Sequence, residues 1–202
     1  MTTDRYQSIY RSDLFAGRVA LITGGGTGIG RCIAHELAAT GAHVVISGRR
    51  PEPLAETVAE IESSGGSASA VPMDIREQEK VVESIAAIVA THGRLDLLVN
   101  NAGGQFMSGA EDIRPKGWRA VIDTNLNGTF WVTQAAFHAW MGEHGGSVVN
   151  IVADMWNGFP GMSHTGAARA AVVNLTKTLS VEWAQHGVRV NAVAPGLILS
   201  SG

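Results

Sequence analysis

Short apolar runs alternate with longer segments of mixed apolar and polar residues from residue 18 to the end of the chain. The runs predict strands over 18–23, 43–47, 68–73, 95–100, 147–152 and 188–192. Segments near 28–40, 52–64, 77–91, 116–141 and 163–186 carry apolar residues at helical spacing. Unbroken apolar stretches such as VALI and VVI predict strands buried on both faces, as in a parallel sheet under helices. Strict β-α alternation with right-handed crossovers builds a doubly wound, three-layer α/β/α domain. No internal repeat or linker divides the chain. The stretch SSGGSAS at 63–69 reads as a helix-to-strand loop, so 1–202 is predicted to be one domain with residues 1–14 as an N-terminal extension. The chain stops at GLILSSG just after the sixth strand, and a further edge strand and helices over a substrate are expected to be lacking.

The first strand runs directly into a glycine-rich turn. Residues 19–30 read VALITGGGTGIG, with glycines at 24, 28 and 30 ahead of the first helix. Backbone without side chains can pack against a pyrophosphate, and the free N–H groups of a helix start attract its charge. The context of strand, turn and helix predicts dinucleotide binding. An acid about 20 residues on commonly bonds the ribose 2′-hydroxyl in such units. Here the second strand ends in Ser47-Gly48-Arg49-Arg50, with no acid before Glu52. Arg49 can hold a 2′-phosphate through its planar fork, which favours NADP(H), or both arginines can form a solvated face. Asp74, at the end of the third strand, can accept from an adenine amino group or cap the helix that begins near Glu77. The fourth strand ends in Asn100-Asn101-Ala102-Gly103-Gly104, where small residues permit close approach to a cofactor and Asn side chains can pin neighbouring strands.

Composition narrows the classes. The chain has 15 Lys and Arg against 18 Asp and Glu, for a net charge of −3, and no basic stripe suggests nucleic acid. No apolar run approaches the roughly 20 residues of a membrane span, and the N-terminus has no signal-like apolar core. The cytoplasm is the expected location. The single cysteine, Cys32, excludes an internal disulfide and reads as a buried structural thiol in the first helix. The seven histidines show no metal-ligand spacing, and no metal is expected.

TGGGTGIG, the Asp74 position, NNAG at 100–103, Asn125 in DTNLNGTF and Pro195-Gly196 in NAVAPG occur in order. Together they resemble the short-chain dehydrogenase/reductase superfamily over essentially the whole chain. The resemblance implies a Rossmann-like fold and a nicotinamide-dependent oxidoreductase. It implies a cofactor site made of Thr23, Gly24, Gly26, Thr27, Gly28, Ile29 and Gly30 in the turn, and of Ser47, Arg49 and Arg50 after the second strand. Asp74 and Ile75, Asn101, Ala102 and Gly103, Arg169, and Pro195, Gly196 and Ile198 complete it. A dimer or tetramer packed through helices 116–141 and 163–186 is the family-level expectation.

The family's usual Ser, Tyr and Lys are absent. Counting back from AAV at 170–172, Thr165 stands at the Tyr position and Arg169 at the Lys position, while Val152-Ala153-Asp154 replaces the Ser region. The only tyrosines are Tyr6 and Tyr10. NNAGGQF at 100–106, KGW at 116–118, EHGGSVVNI at 143–151, GFP at 158–160 and HTGAARA at 164–170 resemble the peroxisomal trans-2-enoyl-CoA reductase and 2,4-dienoyl-CoA reductase branch. That branch implies NADPH-dependent reduction of a double bond conjugated to a thioester. Dehydrogenases of terpenoid alcohols such as citronellol are an alternative relative, and a cofactor-binding protein without catalysis is a third reading.

The chemistry agrees with a branch that dispenses with Tyr. Carbonyl reduction needs a group that protonates the reacting oxygen, and Tyr suits it. Conjugate reduction needs first a hydrogen-bond donor at the thioester oxygen. Asn125 and the Thr165 hydroxyl are candidate donors, and Arg169, a poor proton donor, can bond the cofactor ribose. Asp154 reads either as a solvent-facing loop acid or as a proton source. His164 reads as a loop histidine bonded to backbone, with substrate protonation as its sharper alternative. Lys177 is expected to face solvent or a partner subunit. Trp156 and Phe159 are the candidates for contact with an acyl chain or a hydrophobic alcohol, and the other tryptophans are expected in packing.

Overall fold

A computed structural model describes residues 6, 8–196 and 198; the remaining residues of the N-terminal extension and of GLILSSG lie outside it. The strands are β1 (Val19–Thr23), β2 (His43–Gly48), β3 (Ser67–Pro72), β4 (Leu97–Asn100), β5 (Gly146–Ile151) and β6 (Val188–Val193). The α-helices among the described residues are α1 (Gly28–Ala39), α2 (Pro51–Ser63), α3 (Gln78–His92), α4 (Pro115–Ile122), α5 (Gly128–Ala136), α6 (Gly142–His144) and α7 (Ser163–Glu182). All strand pairs are parallel, in the order β3-β2-β1-β4-β5-β6. This is the doubly wound α/β architecture expected from the alternation.

Period-2 alternation divides the core between the two faces of the sheet. Val19 and Leu21 of β1 pack with Val81, Ile85 and Ile88 of α3 and with Val132 of α5. Ala20 and Ile22 face the other way, onto Ala34 of α1 and Leu54 and Ile61 of α2. Every residue of β1 is buried, as the run VALIT predicts for a central strand.

The structure adjusts several boundaries. β4 begins at Leu97 rather than 95; just ahead of it, Asp96 bonds Val19 and Ser147 through its main chain. Its carboxylate accepts the Val19 N–H at 2.9 Å and guanidinium bonds from Arg18 and Arg94. The predicted helix 116–141 is one helical run interrupted twice by π-helical turns, at Asp123–Asn127 and Phe137–Met141. Such turns admit an extra residue and re-aim side chains. The predicted end of the last helix becomes a 3₁₀ turn at Ala184–His186.

Cys32 is exposed, which corrects its reading as a buried thiol. The buried stripe of α1 runs through Gly30, Ala34 and Ala38, and Cys32 falls off that stripe. Of the extension, Tyr6 and Ser8 both donate to the Glu36 carboxylate near the end of α1. That bond pushes the Tyr6 phenol up to about 12. Among the described residues no helix is long and apolar enough to cross a membrane, and no cluster of His, Cys, Asp and Glu is arranged to hold a metal ion.

Candidate active site

The strand order reverses between β1 and β4, and there the C-terminal strand ends open a cleft of about 970 Å³. Open α/β sheets bind ligands at this kind of position. The glycine turn forms its floor. The Gly24 and Gly25 N–H groups donate to the Ser47 carbonyl at 2.7 and 3.2 Å, which ties the turn to β2. Gly24 has φ +67°, and a Cβ on it would stand 3.0 Å from the Ala102 Cα. A Cβ on Gly30 would lie 2.2 Å from the Gly24 carbonyl oxygen, so α1 can approach the turn only without a side chain there. Thr27 precedes α1 with no side-chain cap, and the first N–H groups of the helix have no side-chain acceptor. These features fit a cofactor diphosphate.

Polar side chains hold the rim. Thr23 Oγ1 accepts the N–H groups of Asn101 and Ala102, each at 3.0 Å. Asn101 Nδ2 donates back to the Thr23 and Gly24 carbonyls. Asn100 donates to Asn150 of β5 at 2.8 Å, so this pair of asparagines pins β4 to β5.

The end of the cleft at β2 and β3 is cationic. Arg49 and Arg50 are exposed there, beside Ser47, whose buried hydroxyl has no partner. Asp74 does not cap α3, which corrects that alternative. The cap residue is Glu77, without a side-chain bond, while the Asp74 carboxylate accepts from the Arg76 main chain at 3.1 Å and from its guanidinium. The Arg76 guanidinium, its main-chain N–H and nearby Arg49 hold the Asp74 carboxyl below the ordinary range. Arg76 borders the cleft and was not among the predicted residues; the short DIR string was its only signal.

The far end is built on the first π-helical turn and the start of α7. Asn125 is fully buried in that turn. Its amide donates to the carbonyls of Gly104 at 2.7 Å and Val121 at 2.9 Å, and its Oδ1 accepts the Gly104 N–H at 3.3 Å. Both amide hydrogens are engaged, which corrects the expectation of a free donor at this position. Gly103 lies against it, since a Cβ there would meet Arg169 Nη2 at 2.4 Å and Asn125 Oδ1 at 2.8 Å. The Arg169 guanidinium is buried, donates to the Ile151 carbonyl at 2.6 Å, and is pulled down to about 10 by burial, so it remains a cation at neutral pH.

Not every predicted residue reaches the cleft. Gly24, Gly26, Thr27, Gly28, Ile29, Ser47, Arg49, Arg50, Asp74, Ile75, Asn101, Ala102, Gly103, Asp154, Arg169, Pro195, Gly196 and Ile198 border it. Thr23, Gly30, Asn125 and Thr165 stand behind it. Thr165 is fully buried, with its hydroxyl 3.2 Å from His164 Nδ1. His164 is bonded to backbone as expected, yet it sits in the first turn of α7, fully buried, rather than in a loop. Phe159 borders the cleft, whereas Trp156 is 64% exposed beside Lys177 at a separate hollow of about 350 Å³.

The model of the short chain dehydrogenase family matches residues 18–201. "Probable 2,4-dienoyl-CoA reductase" of Bacillus subtilis is 42% identical over 188 residues, 92% of this chain and 74% of that protein. The solved citronellol catabolism dehydrogenase of Pseudomonas aeruginosa is 53% identical with a TM-score of 0.92, over 95% of this chain and 79% of the other. A variant of actinorhodin polyketide ketoreductase solved with NADPH is 35% identical with a TM-score of 0.88, over 91% of this chain and 72% of the other.

Proposed function

The chain belongs to the short chain dehydrogenase family of oxidoreductases, and on that premise we propose that it uses NADPH to reduce the double bond of a 2-enoyl-CoA or 2,4-dienoyl-CoA thioester. The observation that carries this reading is the site without a phenol. Thr165 occupies the Tyr position, buried behind the cleft, and among the described residues no tyrosine borders it. Carbonyl reduction would lack its usual proton donor. Conjugate reduction asks instead for a hydrogen-bond donor where charge builds on the thioester oxygen.

The residues divide the work by position. The turn from Gly24 to Gly30 and the start of α1 would hold the diphosphate, and Arg49 and Arg50 would hold the 2′-phosphate. Bound NADPH supplies the hydride. Arg169 would bond the ribose, and Asn125 fixes the Gly104 backbone beside it. Asp154 is exposed at the margin, as a solvent-facing loop acid, and solvent there would supply the proton to the α-carbon. Phe159 and Met162 offer apolar surface to the acyl chain. The active species is a homodimer or homotetramer.

A second reading, an NADP-dependent dehydrogenase of citronellol-like alcohols, draws support from the 53% identity to the Pseudomonas enzyme. NADPH oxidation, followed by absorbance with a trans-2-enoyl-CoA, a 2,4-dienoyl-CoA and citronellal in parallel, tests both. Turnover of the thioesters alone is the expected result. Turnover of the aldehyde alone would transfer the assignment to the second reading. Cofactor binding without any turnover would leave a binding protein.

A further inference from the structure

We propose that His164 is the hydrogen-bond donor to the substrate carbonyl oxygen, through Nε2–H. The proposal rests on the thioester reading above. It starts from an unusual buried group: His164 has no exposed surface, and its Nε2 has no hydrogen-bond partner. Buried polar atoms without partners are rare, and each calls for an explanation.

The other ring nitrogen fixes the tautomer. His164 Nδ1 accepts the Thr165 main-chain N–H at 2.8 Å, and the Thr165 hydroxyl lies 3.2 Å from the same atom. A nitrogen that accepts carries no proton, so the neutral ring holds its proton on Nε2. The ring sits in the first turn of the 20-residue α7. A neutral histidine held in this way is a donor that polarises a carbonyl without transferring a proton. Triosephosphate isomerase uses a neutral imidazole at a helix N-terminus in the same manner. Thr165 thereby gains a role at the Tyr position, since it orients the donor rather than acting on substrate.

Phe106 packs against His164. The Phe106 ring meets it at a centroid distance of 4.4 Å and an interplanar angle of 72°. Phe106 is itself 41% exposed and directly follows Gly104 and Gln105, which border the cleft. For Nε2 to meet a substrate in the cleft, this side chain would have to shift. Of the other donors nearby, both Asn125 amide hydrogens go to backbone carbonyls, while Arg169, which donates to Ile151 through Nη1 and leaves Nε unpartnered, is assigned to the cofactor ribose.

The absorption band of a bound 2,4-dienoyl-CoA reads carbonyl polarisation directly, because a hydrogen bond to the carbonyl shifts the conjugated band to longer wavelength. The wild-type protein with NADP⁺ should show that shift. His164→Leu should abolish it and lower kcat about 100-fold, with NADPH affinity unchanged. His164→Gln, which restores an amide donor, should recover part of both. A wild-type complex without the shift overturns the proposal and needs no variant to fold. An unchanged shift and kcat in His164→Leu also overturns it. Failure of the wild-type protein to bind or reduce any thioester would instead defeat the thioester reading, and the proposal with it.

Discussion

A single methyl group is a sensitive probe of the glycine turn. On Gly30 it would stand 2.2 Å from the Gly24 carbonyl oxygen and 2.4 Å from Asn101 Nδ2. Backbone cannot give way cheaply, and overpacking of this kind costs about 1–3 kcal/mol. The same methyl on Gly104 meets nothing within 4 Å, and its φ is not in the left-handed region. Gly30→Ala should therefore lower thermal stability and weaken NADPH binding about tenfold or more, as read by nucleotide fluorescence. Gly104→Ala should leave thermal stability unchanged. Equal behaviour of the two variants would mean that the α1 approach does not shape the site. At this scale the turn was legible because its chemistry is local in sequence. The engagement of Asn125 and the burial of His164 were not, since both depend on partners 21 and 58 residues away, at Gly104 and Phe106.

The elements are joined by polar contacts that hydrophobic patterning does not reveal. A buried chain of bonds runs from Thr133 on α5 through Asn100 and Asn150 to Thr176 on α7, at 2.8, 2.8 and 2.9 Å. It fastens β4 and β5 to a helix at either end, directly beneath the cleft. Asn150→Ala strips Asn100 and Thr176 of a partner each, and unsatisfied buried groups cost about 1–3 kcal/mol apiece. The urea midpoint should fall accordingly, with an unchanged slope. At the opposite end of β2, the His43 ring lies 4.3 Å from that of His92 on α3. Burial, with the charge of His92 beside it, holds His43 below its ordinary pKa. The unfolded chain then binds a proton more readily than the folded one. Stability is complete at neutral pH and falls as pH drops through about 6.5 toward the folded value. His43→Gln should flatten the dependence of Tm on pH between about 7 and 5, a range above that in which Asp74 protonates. Helix 116–141 shows the limit of pattern reading at this scale. Its apolar spacing marked a helix but not the π-helical turn that holds Asn125.

Across the whole molecule, alternation sufficed for the architecture because the central strands are buried on both faces and each helix on one, leaving few ways to stack them. The cleft follows from that topology. It lies where the β3-β2-β1 half meets the β4-β5-β6 half, and its walls come from both. A ligand that binds this place in the folded chain and not the unfolded one adds its binding energy to the stability of the entire fold. At about 100 times Kd, binding adds about 2.7 kcal/mol. For a chain of this length each kcal/mol raises Tm by about 2–4 °C, so NADPH should shift a single unfolding transition upward by about 5–10 °C. NADH at the same concentration should shift it less, since it lacks the phosphate that Arg49 and Arg50 would hold. Arg49→Ala should bring the two shifts together while leaving Tm without nucleotide unchanged, because Arg49 is exposed. Equal shifts by NADH and NADPH in the wild-type protein would mean that these arginines are a solvated face. A Tm that rises in the wild type but not in Gly30→Ala would place the added stability at the glycine turn.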